Sequence, residues 1–184
     1  MPDSPVARTI RSHLTSPGSR TSLFSMNPYA SQLGNQDAVR VLSTTPARLE
    51  ELLASFGDAG VNRPLAPGKW SPREIVMHLA DCEIAHAFRY RQALAEENPV
   101  VQPWDQEKWA REYAAYDTEQ ALRAFRALRD WNAALIRSLT AEQMARPAKH
   151  PERGDLTVRE LVETAAGHDI NHLRQLEAGL KQAA

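Results

Sequence analysis

Two histidines four residues apart, His168 and His172 in the stretch GHDINH, stand where an amphipathic helix should present apolar side chains to its core. Reading inward from Val158 in alternating steps of three and four gives Val158, Leu161, Ala165, His168, His172, Gln175 and Gly179, so both imidazoles fall on the buried stripe. Residues at i and i+4 lie about one turn apart on one face, where two rings can grip a single ion. Neutral imidazole is the commonest metal ligand, and a buried polar ring without a partner is costly. The pair therefore asks for a third partner. The candidate is His78 in KWSPREIVMHLADCEIAH, three residues after Ile75 and four before Cys82 on the apolar stripe Ile75, Leu79, Cys82, Ala85. Three neutral ligands leave the fourth position of a tetrahedral ion open, as in catalytic rather than structural zinc sites. Such an ion can acidify a bound water or thiol, or polarise a carbonyl.

Helices must bring these residues together. Ser71 suits an N-cap, Pro72 the first helical position, and Glu74 closes a capping box, so a helix carrying His78 starts there and runs to about Glu97. Thr157 with Glu160 forms a second box that opens the helix of His168 and His172. A helix starting at Thr45–Pro46 carries Leu49, Leu52, Leu53 and Phe56 and ends near Gly57. A short helix is expected around Glu107 to Tyr113. A long one from about Thr118 to Leu139 has Leu122, Phe125, Leu128, Trp131 and Leu135 on its stripe, and ARPAKHPERGD follows as a polar loop. The pattern predicts an all-α domain over residues 26–184: a four-helix bundle, whose metal sites are built from side chains on facing helices. Residues 1–25 are rich in Ser, Thr and Arg, show no periodic apolar face, and read as a disordered extension outside the fold. A transit peptide is a second reading of that bias, and an upstream start before a true Met26 is a third.

Composition narrows the function. The chain has 184 residues, 42 % apolar and 24 % charged, with a formal net charge of −1 and no long basic run, so the footprint of a nucleic-acid binder is missing. Cys82 is the single cysteine, which excludes an internal disulfide and a cysteine-rich zinc site and fits a cytoplasmic protein. No apolar run is long enough to span a membrane.

The pattern Trp70-Ser71-Pro72-x-Glu74-Ile75-x-x-His78-Leu79-Ala80-Asp81, followed far downstream by His168-x-x-x-His172-Leu173-x-Gln175, resembles the DinB-like superfamily, which includes the YfiT-like metal-dependent hydrolases. The resemblance spans roughly Met26 to Leu180. It implies a four-helix bundle with a divalent ion, zinc or nickel, held by His78, His168 and His172. It further implies a small-molecule substrate, and for some relatives a low-molecular-weight thiol as co-substrate. Two functions follow: a metal-dependent hydrolase or thiol transferase, or else a non-catalytic stress-response or binding protein that the ion stabilises. A homodimer is compatible with either, and no residue stands out as a catalytic base.

Neighbouring residues carry weaker signals. Asp169 occupies the place of the glutamate in an HExxH protease, but its side chain is one methylene shorter and too few residues follow His172 for a further ligand helix, so it reads as solvated or as a support behind the ligands. Asp81, one turn beyond His78, either orients an imidazole or faces solvent. His86 drifts about 80° from His78 around the helix and is expected to be partly exposed. Cys82 reads as a small core residue, His150 as part of a solvated turn, and Trp70, Trp104, Trp109 and Trp131 as packing anchors. Arg89, Arg91 and Arg174 are candidates to meet an acidic co-substrate.

Overall fold

The computed structural model describes residues 27–183, so the expectation for residues 1–25 lies outside the described residues. Its helices are α1 (Ala30–Leu33), α2 (Ala38–Gly60), α3 (Pro72–Ala95), α4 (Gln106–Trp109), α5 (Thr118–Ser138), α6 (Ala141–Met144) and α7 (Val158–Ala183), with a 3-10 turn at Ala110–Ala115. Four of them, α2, α3, α5 and α7, form the bundle. Helix α2 packs on α7 and α5, and α3 on α5 and α7, so the consecutive helices α2 and α3 lie on a diagonal. Both predicted capping boxes are present: Ser71 and Glu74 open α3, and Thr157 and Glu160 open α7.

Two apolar clusters fill the bundle. One gathers Leu42 of α2, Tyr90 of α3, Ile136 of α5 and Val158 to Ile170 of α7. The other gathers Leu49, Ile75, Leu79, Phe125 and Leu176. Helices α2 and α7 thus run from the first cluster to the second, and α3 and α5 run the opposite way. Neighbours that run parallel need a long connection, and residues 96–117 supply it between α3 and α5.

Between the clusters lies a layer of buried polar side chains that draws on every helix: Thr45, Glu83 and His86, Arg129 and Asn132, and His168, Asp169 and His172. Arg129 on α5 joins all four. Its Nη1 donates to Leu42 O at 3.0 Å and to Asp169 Oδ2 at 2.5 Å, and its Nη2 to Glu83 Oε1 at 2.8 Å and Asp169 Oδ1 at 3.1 Å. Asn132 Nδ2 donates to Glu83 O at 3.0 Å and Oε2 at 2.9 Å. The Leu42 carbonyl is available because Pro46, inside α2, has no N–H to return to it. A proline that removes one helical hydrogen bond thereby frees the acceptor for a guanidinium from a different helix.

Three expectations change. Helix α2 starts at Ala38, where the Asp37 side chain accepts from Arg40 N at 2.7 Å, two turns before Thr45–Pro46, because the cap and the apolar pair Val41 and Leu42 outweigh the proline signal. It breaks as expected at Gly57, whose φ is 62°. The buried face of α5 is Ala121, Phe125, Arg129, Asn132, Ala133 and Ile136, with Trp131 in solvent: the helix turns its polar pair inward, which an apolar stripe cannot reveal. The polar loop after α6 holds an antiparallel hairpin, β1 (Pro147–His150) and β2 (Gly154–Thr157), closed with Gly154 at φ 81°. Its outer edge binds the α3–α5 connection, with Val101 N donating to Lys149 O at 2.9 Å and Lys149 N to Pro99 O at 2.8 Å. The fold class stands, with this hairpin added to an otherwise helical chain.

Removing the guanidinium leaves two carboxylates buried without their counter-charge, a class of change that costs roughly 3–5 kcal/mol. Arg129→Ala should therefore lower unfolding free energy by about that amount in urea titrations. A variant as stable as the wild type contradicts the role given to this layer.

Candidate metal centre

The three histidines singled out by spacing meet. His78 comes from α3, and His168 and His172 from successive turns of α7. His168 Nε2 lies 3.0 Å from His78 Nε2 and 3.0 Å from His172 Nε2. All three rings are buried. Trp70 packs against His78 at 4.7 Å between centroids and is nearly parallel to His172 at 6.4 Å, while Trp104 stacks on His78 at 5.8 Å. Tyr29 meets His168 edge-on at 5.0 Å. That approach depends on Gly167, where a Cβ would stand 2.5 Å from Tyr29 O.

The donor set fits a cation. Burial holds all three imidazoles below their ordinary pKa, His78 at about 3 and His172 at about 4, so they are neutral at pH 7. The neighbouring rings His172 and His86 lower His78 further, whereas Gln175 partly offsets the effect at His172. His172 Nδ1 lies 3.1 Å from Gln175 Oε1, and if it carries the proton donated there, Nε2 presents a lone pair to His168. One proton on His168 Nε2 could satisfy either of its two 3.0 Å neighbours but not both. A divalent ion that took a lone pair from each ring would remove that conflict. Ligand nitrogens 2.0–2.1 Å from a tetrahedral zinc stand about 3.3 Å apart, within a few tenths of an ångström of the two separations from His168.

Cys82 is a fourth potential donor. Its Sγ lies 3.5 Å from His78 Nε2, and Cys82, His78 and His168 form a compact group able to hold a metal ion. Burial raises the thiol well above its usual pKa, and the charges of Glu83, Asp169 and Asp81 add to that, so without an ion it is a small neutral group.

Other expectations divide. Asp169 is not solvated: its carboxylate is buried against Arg129, one residue from His168, and so fixes the turn that bears the ligands. Asp81 accepts from Tyr113 Oη at 2.9 Å and anchors the segment before α5. His86 is buried rather than partly exposed, with Nδ1 3.8 Å from Glu83 Oε1, because α3 is enclosed on more than one side. His150 is also buried, since the hairpin folds over the bundle. Trp70 and Trp104 pack on the imidazoles themselves. Arg91 reaches Asn132 and Trp131, and Arg174 binds Gln32, which leaves Arg89 as the one of those three arginines that faces the centre. Glu83, Arg129 and Asn132 were not legible as site support from apolar periodicity. Their signal is that Glu83 continues the Ile75–Leu79 spacing and Arg129 the Ala121–Phe125 spacing.

Two cavities open beside His168. The larger, ≈ 470 Å³, is lined by Trp70, His168, Asn171, His172 and Gln175 among others. The smaller, ≈ 160 Å³, borders His78, Cys82 and His168. Tyr29 and Gln106 line both.

The neutral rings set a pH dependence for protein stripped of metal. The unfolded chain takes up protons below about pH 6.5, whereas the folded rings resist until about 4 for His172 and about 3 for His78. Stability is therefore complete above that unfolded value and falls as pH drops through the window, by up to about 1.4 kcal/mol per pH unit for each histidine. Urea midpoints of chelated protein between pH 7 and pH 4 check this, and a flat profile contradicts the neutral assignment.

The sequence profile of the DinB superfamily matches residues 42–176, a span that includes all three histidines. "Putative metal-dependent hydrolase YfiT" of Bacillus subtilis is 29 % identical over 147 residues, covering 75 % of this chain and 81 % of that protein. A protein of Oceanobacillus iheyensis with the same description is 28 % identical over 145 residues, covering 78 % and 84 %. The solved structure of B. subtilis YfiT, described as a probable metal-dependent hydrolase with an unusual four-helix bundle topology, superposes with a TM-score of 0.74 at 26 % identity, over 79 % of this chain and 85 % of that one. With its bundle and the extent of the profile match, the chain belongs to the DinB superfamily.

Proposed function

We propose that this protein is a metal-dependent hydrolase acting on a small molecule, with a divalent ion, zinc or nickel, held by His78, His168 and His172. The observation that supports the reading is that the neutral, buried Nε2 of His168 stands 3.0 Å from that of His78 and 3.0 Å from that of His172, beside two cavities. When bound there, the ion supplies Lewis acidity toward a water, a thiol or a substrate carbonyl. The chain does the rest. Gln175 fixes the tautomer and tilt of His172, and the Arg129–Asp169 pair holds the helical turn on which His168 sits. Trp70 and Trp104 cover His78 and exclude water from that side, while the ≈ 470 Å³ cavity is of the size that admits a small ligand. Transfer of a low-molecular-weight thiol uses the same open position, so the thiol is a candidate co-substrate.

One observation favours a second reading. The sulfur of Cys82 is close enough to His78 to join it as a ligand, and a fourth protein ligand would seal the ion into a structural, non-catalytic role.

His168→Ala and His172→Ala should each lose stoichiometric divalent metal in elemental analysis, and Cys82→Ser should keep it. Because a ligand confined to the folded state stabilises it by RT ln(1 + [L]/Kd), roughly 4 kcal/mol at a thousandfold excess over Kd, chelation should lower the wild-type Tm and leave that of His78→Ala unchanged. A full equivalent of metal in any of the three histidine variants overturns the ligand set. Loss of metal from Cys82→Ser favours the sealed site instead.

A further inference from the structure

The smaller cavity has a second chemistry besides the histidines. Arg89 of α3 and Arg153 of the hairpin turn both line it, together with His150 at the end of β1. Neither arginine forms an ion pair among the described residues, whereas Arg48, Arg123, Arg126 and Arg129 all do. Arg89 is half-buried and is held in place through Nη2, which donates to Gln102 O at 2.6 Å. Burial is the main cause that lowers the pKa of Arg89 and of His150, and the charge of Arg153 adds to it at both, as does that of Arg89 at His150. Arg153 is exposed and Arg89 half-buried, so the cavity wall carries two cations that no carboxylate of the described residues pairs, one of them partly withdrawn from water. His150 Nδ1 accepts from Glu152 N at 3.2 Å, so the proton of the neutral ring is on Nε2 and is available as a donor. Among the described residues that line the cavity Glu152 is the only acid, and it lies exposed, as Arg153 does.

We infer that Arg89, Arg153 and His150 form an oxyanion-binding subsite that holds the carboxylate or phosphate of a small substrate while its reacting group reaches the three-histidine centre. A volume of ≈ 160 Å³ suits one such group rather than a whole ligand. The body of the molecule then occupies the larger cavity, which shares Tyr29, Gln106 and His168 with the smaller one. Paired guanidinium groups match the geometry of carboxylate and phosphate oxygens and discriminate against neutral analogues. The α3–α5 connection, which positions Arg89 through Gln102 O, is tied to β1, and β1 ends at His150, so the hairpin is part of the subsite.

The inference rests on the proposed metal centre, but the two can fail separately. Inorganic phosphate and acetate are titrated calorimetrically into protein as purified, with metal content measured on the same samples. At least one anion should bind, more weakly as salt rises, and the tighter of the two identifies the group recognised. Arg89→Gln and Arg153→Gln should each weaken it roughly tenfold, the value of one charge-assisted hydrogen bond, with metal content unchanged. Arg89→Lys should recover part of the loss, and Lys69→Gln, in the larger cavity, should have no effect. A wild type that binds neither anion, or a double arginine variant that binds as the wild type does, overturns the subsite and leaves the metal reading intact. Wild-type protein free of divalent metal overturns the metal reading instead.

Discussion

A buried guanidinium fixes the register of this bundle. Arg129 is enclosed between two apolar clusters, and its hydrogen bonds reach a carbonyl on α2, a carboxylate on α3 and a carboxylate on α7. Apolar faces alone tolerate sliding, because one aliphatic contact replaces another with little loss. A buried charge does not, since every partner withdrawn leaves an uncompensated group in a low-dielectric interior. Glu83 shows the balance: burial would raise its pKa, but the charge and hydrogen bond of Arg129, with His86 close by, bring it down to about 2. The helices are consequently locked along their axes at the level where the imidazoles must meet.

The proposed metal centre inherits that precision. His168 adjoins Asp169 in sequence, and His78 lies within a turn and a half of Glu83, so two of the Arg129 contacts set the heights of α7 and α3 relative to each other. The polar layer and the ligand set are successive parts of one device. The first pairs one guanidinium with two carboxylates, and the second presents imidazole nitrogens to one another. Above them, Tyr29, Trp70 and Trp104 come from connecting segments rather than from bundle helices, and these segments govern access. Loops that vary the lining over a rigid set of ligands are the usual means by which one scaffold accommodates different substrates.

How much of this was legible in the sequence depended on how local each signal was. Capping boxes at Ser71–Glu74 and Thr157–Glu160 placed two helix starts because a cap involves residues three apart. Histidines 168 and 172 were legible for the same reason, and His78 because it interrupts an apolar stripe. Pro46 misled, since a proline in the interior of a helix reads as a start unless the fate of the Leu42 carbonyl is known, and that carbonyl is satisfied by a residue of α5. Arg129 and Asn132 leave no mark on the apolar stripe of α5, because their partners lie on other helices. The hairpin at 147–157 was read as loop because its strands are short and pair partly with the distant residues 99–101. Non-local compensation of charge and hydrogen bonding leaves no periodic trace in one chain.

X-ray absorption at the edge of the bound metal tests the central claim most directly, because it counts ligands and identifies them by distance. The expected spectrum shows nitrogen and oxygen at about 2.0–2.1 Å, with the outer scattering of three imidazoles and no sulfur. A sulfur scatterer at about 2.3 Å would make Cys82 a ligand and close the position on which the proposed chemistry depends, and fewer than three imidazoles would contradict the site itself.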